Sequence, residues 1–145
     1  MSAEVAARVE KVVALEDIDV GGIGGTLAGN TLSMTAMAAT LGSVLTPAAF
    51  ERMIPLGERW ADGVAAGIER HGLPWRVTRL GCRAEYAFSP ELPHDGAEAA
   101  AADDFELQQF LHLYALNRGI LLTPFHNMAL MSPATTEADV DAHTA

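Results

Sequence analysis

Two punctuation marks, one at Thr46-Pro47 and one at Gly72-Leu73-Pro74, constrain this chain more than anything else in it. The first joins an N-cap hydroxyl to a proline at the first helical position; the second joins a residue free to take positive φ to one that cannot continue a helix. Between them Phe50, Met53, Ile54, Trp60, Val64 and Ile68 recur at helical spacing. A helix to about Arg70 follows, with Pro55 expected to kink or divide it. Glu51, Arg52, Glu58, Arg59, Asp62 and Glu69 form its wet face, and a charge run of this kind is a solvated surface.

What comes after the helix alternates with a period of two. Trp75 to Leu80 is a strand, Gly81 a turn, and a second strand places Ala84, Tyr86 and Phe88 on one face and Arg83 and Glu85 on the other. Arg83 has two readings: a guanidinium offered to a substrate carboxylate, or a surface arginine paired with Glu85. Residues 89–103 are rich in proline, alanine and acid and lack an apolar face, which predicts a mobile surface excursion. A helix from about Asp104 to Asn117, capped by aspartate, is expected to be buried through Phe105, Leu107, Phe110, Leu111, Tyr114 and Leu116, and Arg118-Gly119 close it. Ile120-Leu121-Leu122 predicts a short buried strand, Thr123-Pro124 a break, and Met128 to Met131 renewed extended structure. Thr135 or Thr136 caps a last helix that barely begins.

Upstream, Val5, Val9, Val12 and Val13 mark one face of a helix from Ser2 to about Leu15, with Ser2 as N-cap. Glu16 to Val20 is an acidic connection that can end in a strand. From about Thr31 to Leu45 the apolar positions Leu32, Met34, Met37, Leu41 and Val44 go most of the way round a helix, so that helix wants burial on more than one side. The whole sequence is 50% hydrophobic and only 19% charged, with a mean hydropathy of +0.17, and some of its apolar surface is therefore expected to meet another surface. A net charge of −10 with nine Lys plus Arg excludes a basic nucleic-acid platform. Cys82 is single, so no intrachain disulfide can form, and a reducing cytoplasmic setting is expected. No apolar run reaches transmembrane length, and the first residues lack the order of a signal peptide, so no membrane partner is expected. The five histidines form no His-x-x-x-His pair or Cys/His cluster, and no metal site is expected.

Gly21 to Asn30 packs five glycines and a threonine into the approach to that second helix. Glycine lets backbone come close to a ligand, and a helix opening just afterwards adds unpaired N–H groups and the positive end of its dipole. The pattern suits an anion. Gly25-Thr26-Leu27-Ala28-Gly29-Asn30, followed by Leu32, Met34, Ala36 and Met37, resembles the Gly-Thr-Leu-Ser-Gly-Asn-Pro segment of class III pyridoxal-phosphate aminotransferases, the group that includes glutamate-1-semialdehyde aminomutase. Thr31 stands where the family has proline. Leu73 to Gly81 and Ser132 to Asp141 extend the likeness.

The resemblance implies a C-terminal piece of a longer enzyme. Residues 46–145 would be the small C-terminal α/β (α+β-like) domain of a fold-type I transferase, a mixed sheet with helices on one face. Residues 1–45 would form the seam with the large domain and a neighbouring subunit. Pyridoxal phosphate is the implied cofactor, shared with another chain. Gly25 and Thr26 would bind its phosphate, and His126 and Asn127 match the mouth of the substrate pocket, where the aminomutases show Phe-Glu. The family's Schiff-base lysine lies upstream of the residue matching Met1, and Lys11, the one lysine present, sits on the polar face of the first helix. No catalytic residue is therefore assigned here, and the chain alone is expected to be inactive. The expected partner is a second copy or an N-terminal aminotransferase half on another chain. The alternatives are a non-catalytic interaction module derived from the same family and a truncated product.

Overall fold

The computed structural model describes residues 2–14, 29–123 and 126–145. They fall in two compact units, Met1–Thr40 and Leu41–Ala145. In the first, α1 (Ala3–Ala14) begins with the Val5 N–H on the Ser2 hydroxyl at 3.3 Å. Helix α2 (Thr31–Ala39) follows Gly29, whose φ is +71°, and is capped by Asn30, whose side chain accepts from the Ser33 N–H. A π-helical turn, Thr40–Val44, comes next in the chain, all but its first residue belonging to the second unit. The Thr40 hydroxyl donates back to the Ala36 carbonyl at 2.9 Å, a bond that competes with the regular ladder where the helix changes pitch.

The second unit is built on α3 (Pro47–His71), capped at the start by the Thr46 hydroxyl. Its end is a Schellman motif: Gly72, at φ +60°, donates to Glu69, and the Leu73 N–H donates to Ile68. Pro55 does not divide the helix, which runs through it as one element. The proline lies on the exposed side, where water can satisfy the carbonyl that loses its partner.

Strands β1 (Arg76–Leu80) and β2 (Arg83–Ala87) form the expected hairpin, and β3 (Met128–Leu130) pairs with β2. Both pairings are antiparallel, in the order β1-β2-β3, so the described sheet is antiparallel rather than mixed. One face of α3 lies on this sheet. Met53, Trp60 and Ala61 meet Ala84, Tyr86, Ala129 and Met131, with Val140 of α6 (Glu137–Thr144) completing the core. Trp60, 2% exposed, stands among rings, 6.2 Å from Tyr86 and 5.2 Å from His143. Helix α3 also comes close to the hairpin turn. A β-carbon at Gly57 would lie 3.1 Å from the Gly81 carbonyl oxygen and 3.2 Å from the Cys82 α-carbon.

Several expectations change. Residues 96–101 form a short helix, α4 (Gly96–Ala101), because Asp95 caps the Ala97 and Glu98 N–H groups ahead of an alanine run. Helix α5 (Phe105–Leu116) has its Asp104 cap and its Gly119 terminus, but in this unit its apolar stripe is largely open: Phe105, Phe110, Tyr114 and Leu116 are exposed and only Ala115 is buried. Ile120 to Leu122 is not a strand, and Leu121 is 74% exposed. The final helix runs from Glu137 to Thr144 with a full capping box. The expected strand ending at Val20 lies outside the described residues.

Carboxylates hold α6 in place. Asp139 accepts the Thr136 N–H and hydroxyl, each at 2.8 Å, and Asp141 takes a two-pronged bond from Arg59 of α3 at 2.6 and 2.9 Å. Those bonds hold both carboxyls below the ordinary value of 3.8. A depressed pKa contributes stability that is complete above the unfolded value and lost as pH falls through the folded one. Helix α6 is therefore expected to stay docked at neutral pH and to loosen only below about pH 3.8, and Asp141→Asn to remove part of that transition. An acid titration followed at the Val140 amide resonance checks it; a transition near neutrality would contradict it.

Candidate functional site

The residues expected to meet ligand fall in both units. In the first, Gly25 and Thr26 lie outside the described residues. Their neighbours Gly29 and Asn30 are seen, and they deliver the backbone into α2 with no acidic side chain in its first turn. The positive pole of that helix is thus not offset by its own sequence. Lys11 is exposed in the last turn of α1.

In the second unit, Arg83, His126 and Asn127 all belong to the β2–β3 neighbourhood but do not come together: Arg83 faces Leu130 at one end, and His126 and Asn127 precede β3 at the other. Register sets Arg83 against Leu130 and Glu85 against Met128, and the Tyr86 N–H donates to the Asn127 carbonyl at 3.1 Å. Because side chains alternate along a strand, Arg83 and Glu85 share the face away from α3, while Ala84 and Tyr86 are buried against it. The Arg83 guanidinium sits 2.6 Å from the Glu85 carboxylate, and its Nε lies 2.6 Å from the Met128 sulfur. Met128 was not legible as a neighbour of Arg83: only the β2–β3 register brings it there, and nothing local announces that register.

His126 and Asn127 divide between environments. His126 is exposed, whereas Asn127 is 6% exposed, sharing its burial with Ala129 two residues on. Burial alone pushes the Tyr86 hydroxyl up to about 12, so the aromatic side of this strand pair is uncharged at neutral pH. All charge at the pair belongs to Arg83 and Glu85 on the outer face. Such a face can present a guanidinium to an anion, Arg83 being half exposed with one of its nitrogens given to Glu85. Among the described residues no group of three or more His, Cys, Asp or Glu is placed to hold a metal ion. None of the described single helices is long and apolar enough to cross a membrane.

No family model matches the sequence. Curated relatives do. It is 33% identical over 119 residues to a glutamate-1-semialdehyde 2,1-aminomutase 2 of Brevibacillus brevis, covering 81% of this chain and 27% of the relative. It is 36% identical over 118 residues to the glutamate-1-semialdehyde 2,1-aminomutase of Sorangium cellulosum, covering 81% of this chain and 26% of the relative. The chain thus spans only about a quarter of the length of these relatives. Among solved structures, a glutamate-1-semialdehyde aminomutase from Pseudomonas aeruginosa superposes with a TM-score of 0.76 at 46% identity, covering 99% of this chain and 32% of that one. A Lys→Ala variant of such an enzyme from the same organism, solved with PMP, gives the same figures. An omega-transaminase from Sphaerobacter thermophilus has a TM-score of 0.63 at 27% identity, covering 85% of this chain and 29% of that one.

Proposed function

We propose that this chain, a homologue of the C-terminal portion of the class III pyridoxal-phosphate aminotransferases, completes an aminotransferase or aminomutase site whose nucleophilic lysine comes from outside these residues. The observation that carries the reading is the superposition on the P. aeruginosa aminomutase over 99% of the chain. The chain's own residues fit part of a pyridoxal-phosphate site. Glycine backbone leading into an N-terminus without acid suits a phosphate, and Gly25 with Thr26 would hold it. Lys11 does not suit the amine. Covalent attachment at neutral pH needs an amine desolvated or placed beside another cation, and Lys11 stands in water at the end of α1. When bound, the cofactor supplies the electron sink for moving an amino group. The chain's part is to grip, orient and wall off. Arg83, His126 and Asn127 are proposed for the substrate side, and a cytoplasmic, two-part or dimeric assembly for the setting.

The test is borohydride reduction of the chain after incubation with pyridoxal phosphate, followed by peptide mapping. No stoichiometric label on Lys11 is expected, with transamination appearing only once a polypeptide carrying the N-terminal aminotransferase portion is added. Stoichiometric labelling of Lys11 overturns the reading.

A second reading, a non-catalytic docking module, draws on the open apolar faces of α2 and α5, where Leu32 is 80% exposed and Phe110 60%. A stable homodimer that takes up no cofactor and rescues no activity would favour it.

A further inference from the structure

Strand β3 is paired on one side only. The Tyr86 N–H reaches the Asn127 carbonyl and the Met131 N–H the Cys82 carbonyl, so residues 127, 129 and 131 turn their backbone groups toward β2. Met128 and Leu130, lying between them, turn theirs outward. Among the described residues those outward groups have no partner. The next outward N–H, at Ser132, is already given to the Thr135 hydroxyl at 2.9 Å, which leaves two residues of open edge.

A second run of unused backbone faces the same space. The Ile120 N–H closes α5 by donating to Ala115, but Leu121 and Leu122 make no backbone hydrogen bond among the described residues. Between the two runs is a cleft of about 320 Å³, lined by residues 120–123, residues 129–132 and one side of α6. Its lining mixes Thr123, Ser132 and Asp139 with Leu122, Met131 and Val140. That mixture suits a peptide in extended form, which offers amides along its edges and side chains above and below. A free sheet edge is a template for such a chain. A second copy is the poorer occupant, because it would bring a whole three-stranded sheet and a further −10 of charge to a cleft closed on its far side by residues 120–123. The chain spans about a quarter of its relatives' length, so most of a relative's polypeptide lies outside it.

We infer that this cleft takes one extended segment of the polypeptide that completes the aminotransferase site, its backbone paired with Met128 and Leu130 and its other edge toward Leu121 and Leu122. The partner rests on the function proposed above; the strand-binding cleft does not.

The probe is the peptide acetyl-Thr-Val-Thr-Val-Thr-amide, titrated against the full chain with the Met128 and Leu130 amide resonances as readout. Backbone pairing tolerates sequence, so a generic strand former serves. A saturable shift with a Kd on the order of 1 mM is expected. The same peptide N-methylated at every residue keeps its side chains and should bind at least about tenfold more weakly. Leu130→Pro removes an outward N–H without touching a bond to β2, and should abolish the Met128 shift; Leu130→Thr, at the same exposed position, should leave it unchanged. Equal binding of the N-methylated peptide overturns the inference in favour of an apolar crevice. Full binding by the Leu130→Pro variant overturns it by moving the peptide elsewhere, and no saturable shift means a closed edge. Resonances that move with the concentration of the chain alone give the edge to a second copy. For the source, the polypeptide that restores transamination should slow hydrogen exchange at the Met128 and Leu130 amides at least about tenfold, and unchanged exchange in an active mixture overturns the partner. Peptide binding without any restored activity is a failure of the functional reading and takes the partner with it, whereas failed peptide binding is a failure of the strand cleft alone.

Discussion

Trp60→Ala is expected to lower the unfolding free energy of the second unit by about 3–5 kcal/mol, a large share of the roughly 5–15 kcal/mol that holds a domain of this size. The ring is where three elements converge: it belongs to α3, stacks with Tyr86 of β2 and faces His143 of α6. Truncation removes the apolar contacts and leaves a hole that rigid neighbours on three sides fill only in part. Denaturant titration should show a lower midpoint at unchanged slope. Trp60→Phe should cost much less, because it keeps a ring and discards the unpaired indole N–H. Phe50, on the same helix but exposed, supplies the control. If Trp60→Ala and Phe50→Ala shift the midpoint equally, the core is not centred where the structure puts it.

The second large effect is expected at Gly57. A β-carbon there meets the backbone of the hairpin turn at Gly81 and Cys82, and backbone cannot swing aside as a side-chain tip can. Gly57→Val is therefore expected to cost about 1–3 kcal/mol by prising α3 from the turn. Gly67, ten residues along the same helix, has nothing near its missing β-carbon. There Gly67→Ala should stabilise by up to about 1 kcal/mol, through helix propensity alone. Opposite signs from two glycines of one helix would be hard to obtain from a general loosening. A Gly57→Val variant as stable as the parent would mean that the turn yields and the close approach is incidental.

Signals contained within a few residues were legible in the sequence. The hydroxyl of Thr46, the carboxylate of Asp104 and the threonine before α6 each act on an N–H three positions away, and Gly72 acts on the turn it terminates. The hairpin was legible for the same reason, since a two-residue turn, Gly81-Cys82, joins its strands. What failed depended on distant chain. An apolar stripe on α5 says that the stripe avoids water, not which surface covers it, and in this unit Phe105, Phe110 and Tyr114 remain exposed. Ile120 to Leu122 has the composition of a strand but no partner strand among the described residues. At the candidate site the Arg83–Glu85 pair was foreseeable from alternation, whereas the burial of Asn127 beside an exposed His126 came from register. Gly25 and Thr26, read from a short motif, remain a proposal. His143 had no local signature: its meeting with Trp60 requires α6 to fold back onto α3.

That fold-back bears on the order in which the sheet is assembled. Helix α3, the turn at Gly72 and the β1–β2 hairpin are consecutive in the chain, so they meet with little loop to close. The third strand must return from beyond Ala87 to Met128 with α4 and α5 in between, and α6 must then find α3. These are the contacts of high sequence separation, and the entropy of closing so long a loop is spent before any of them is rewarded. The connectivity thus ranks the interactions in time as well as in space. Helix and hairpin supply a template early, and the strand Met128–Leu130 is the late arrival that pairs with it.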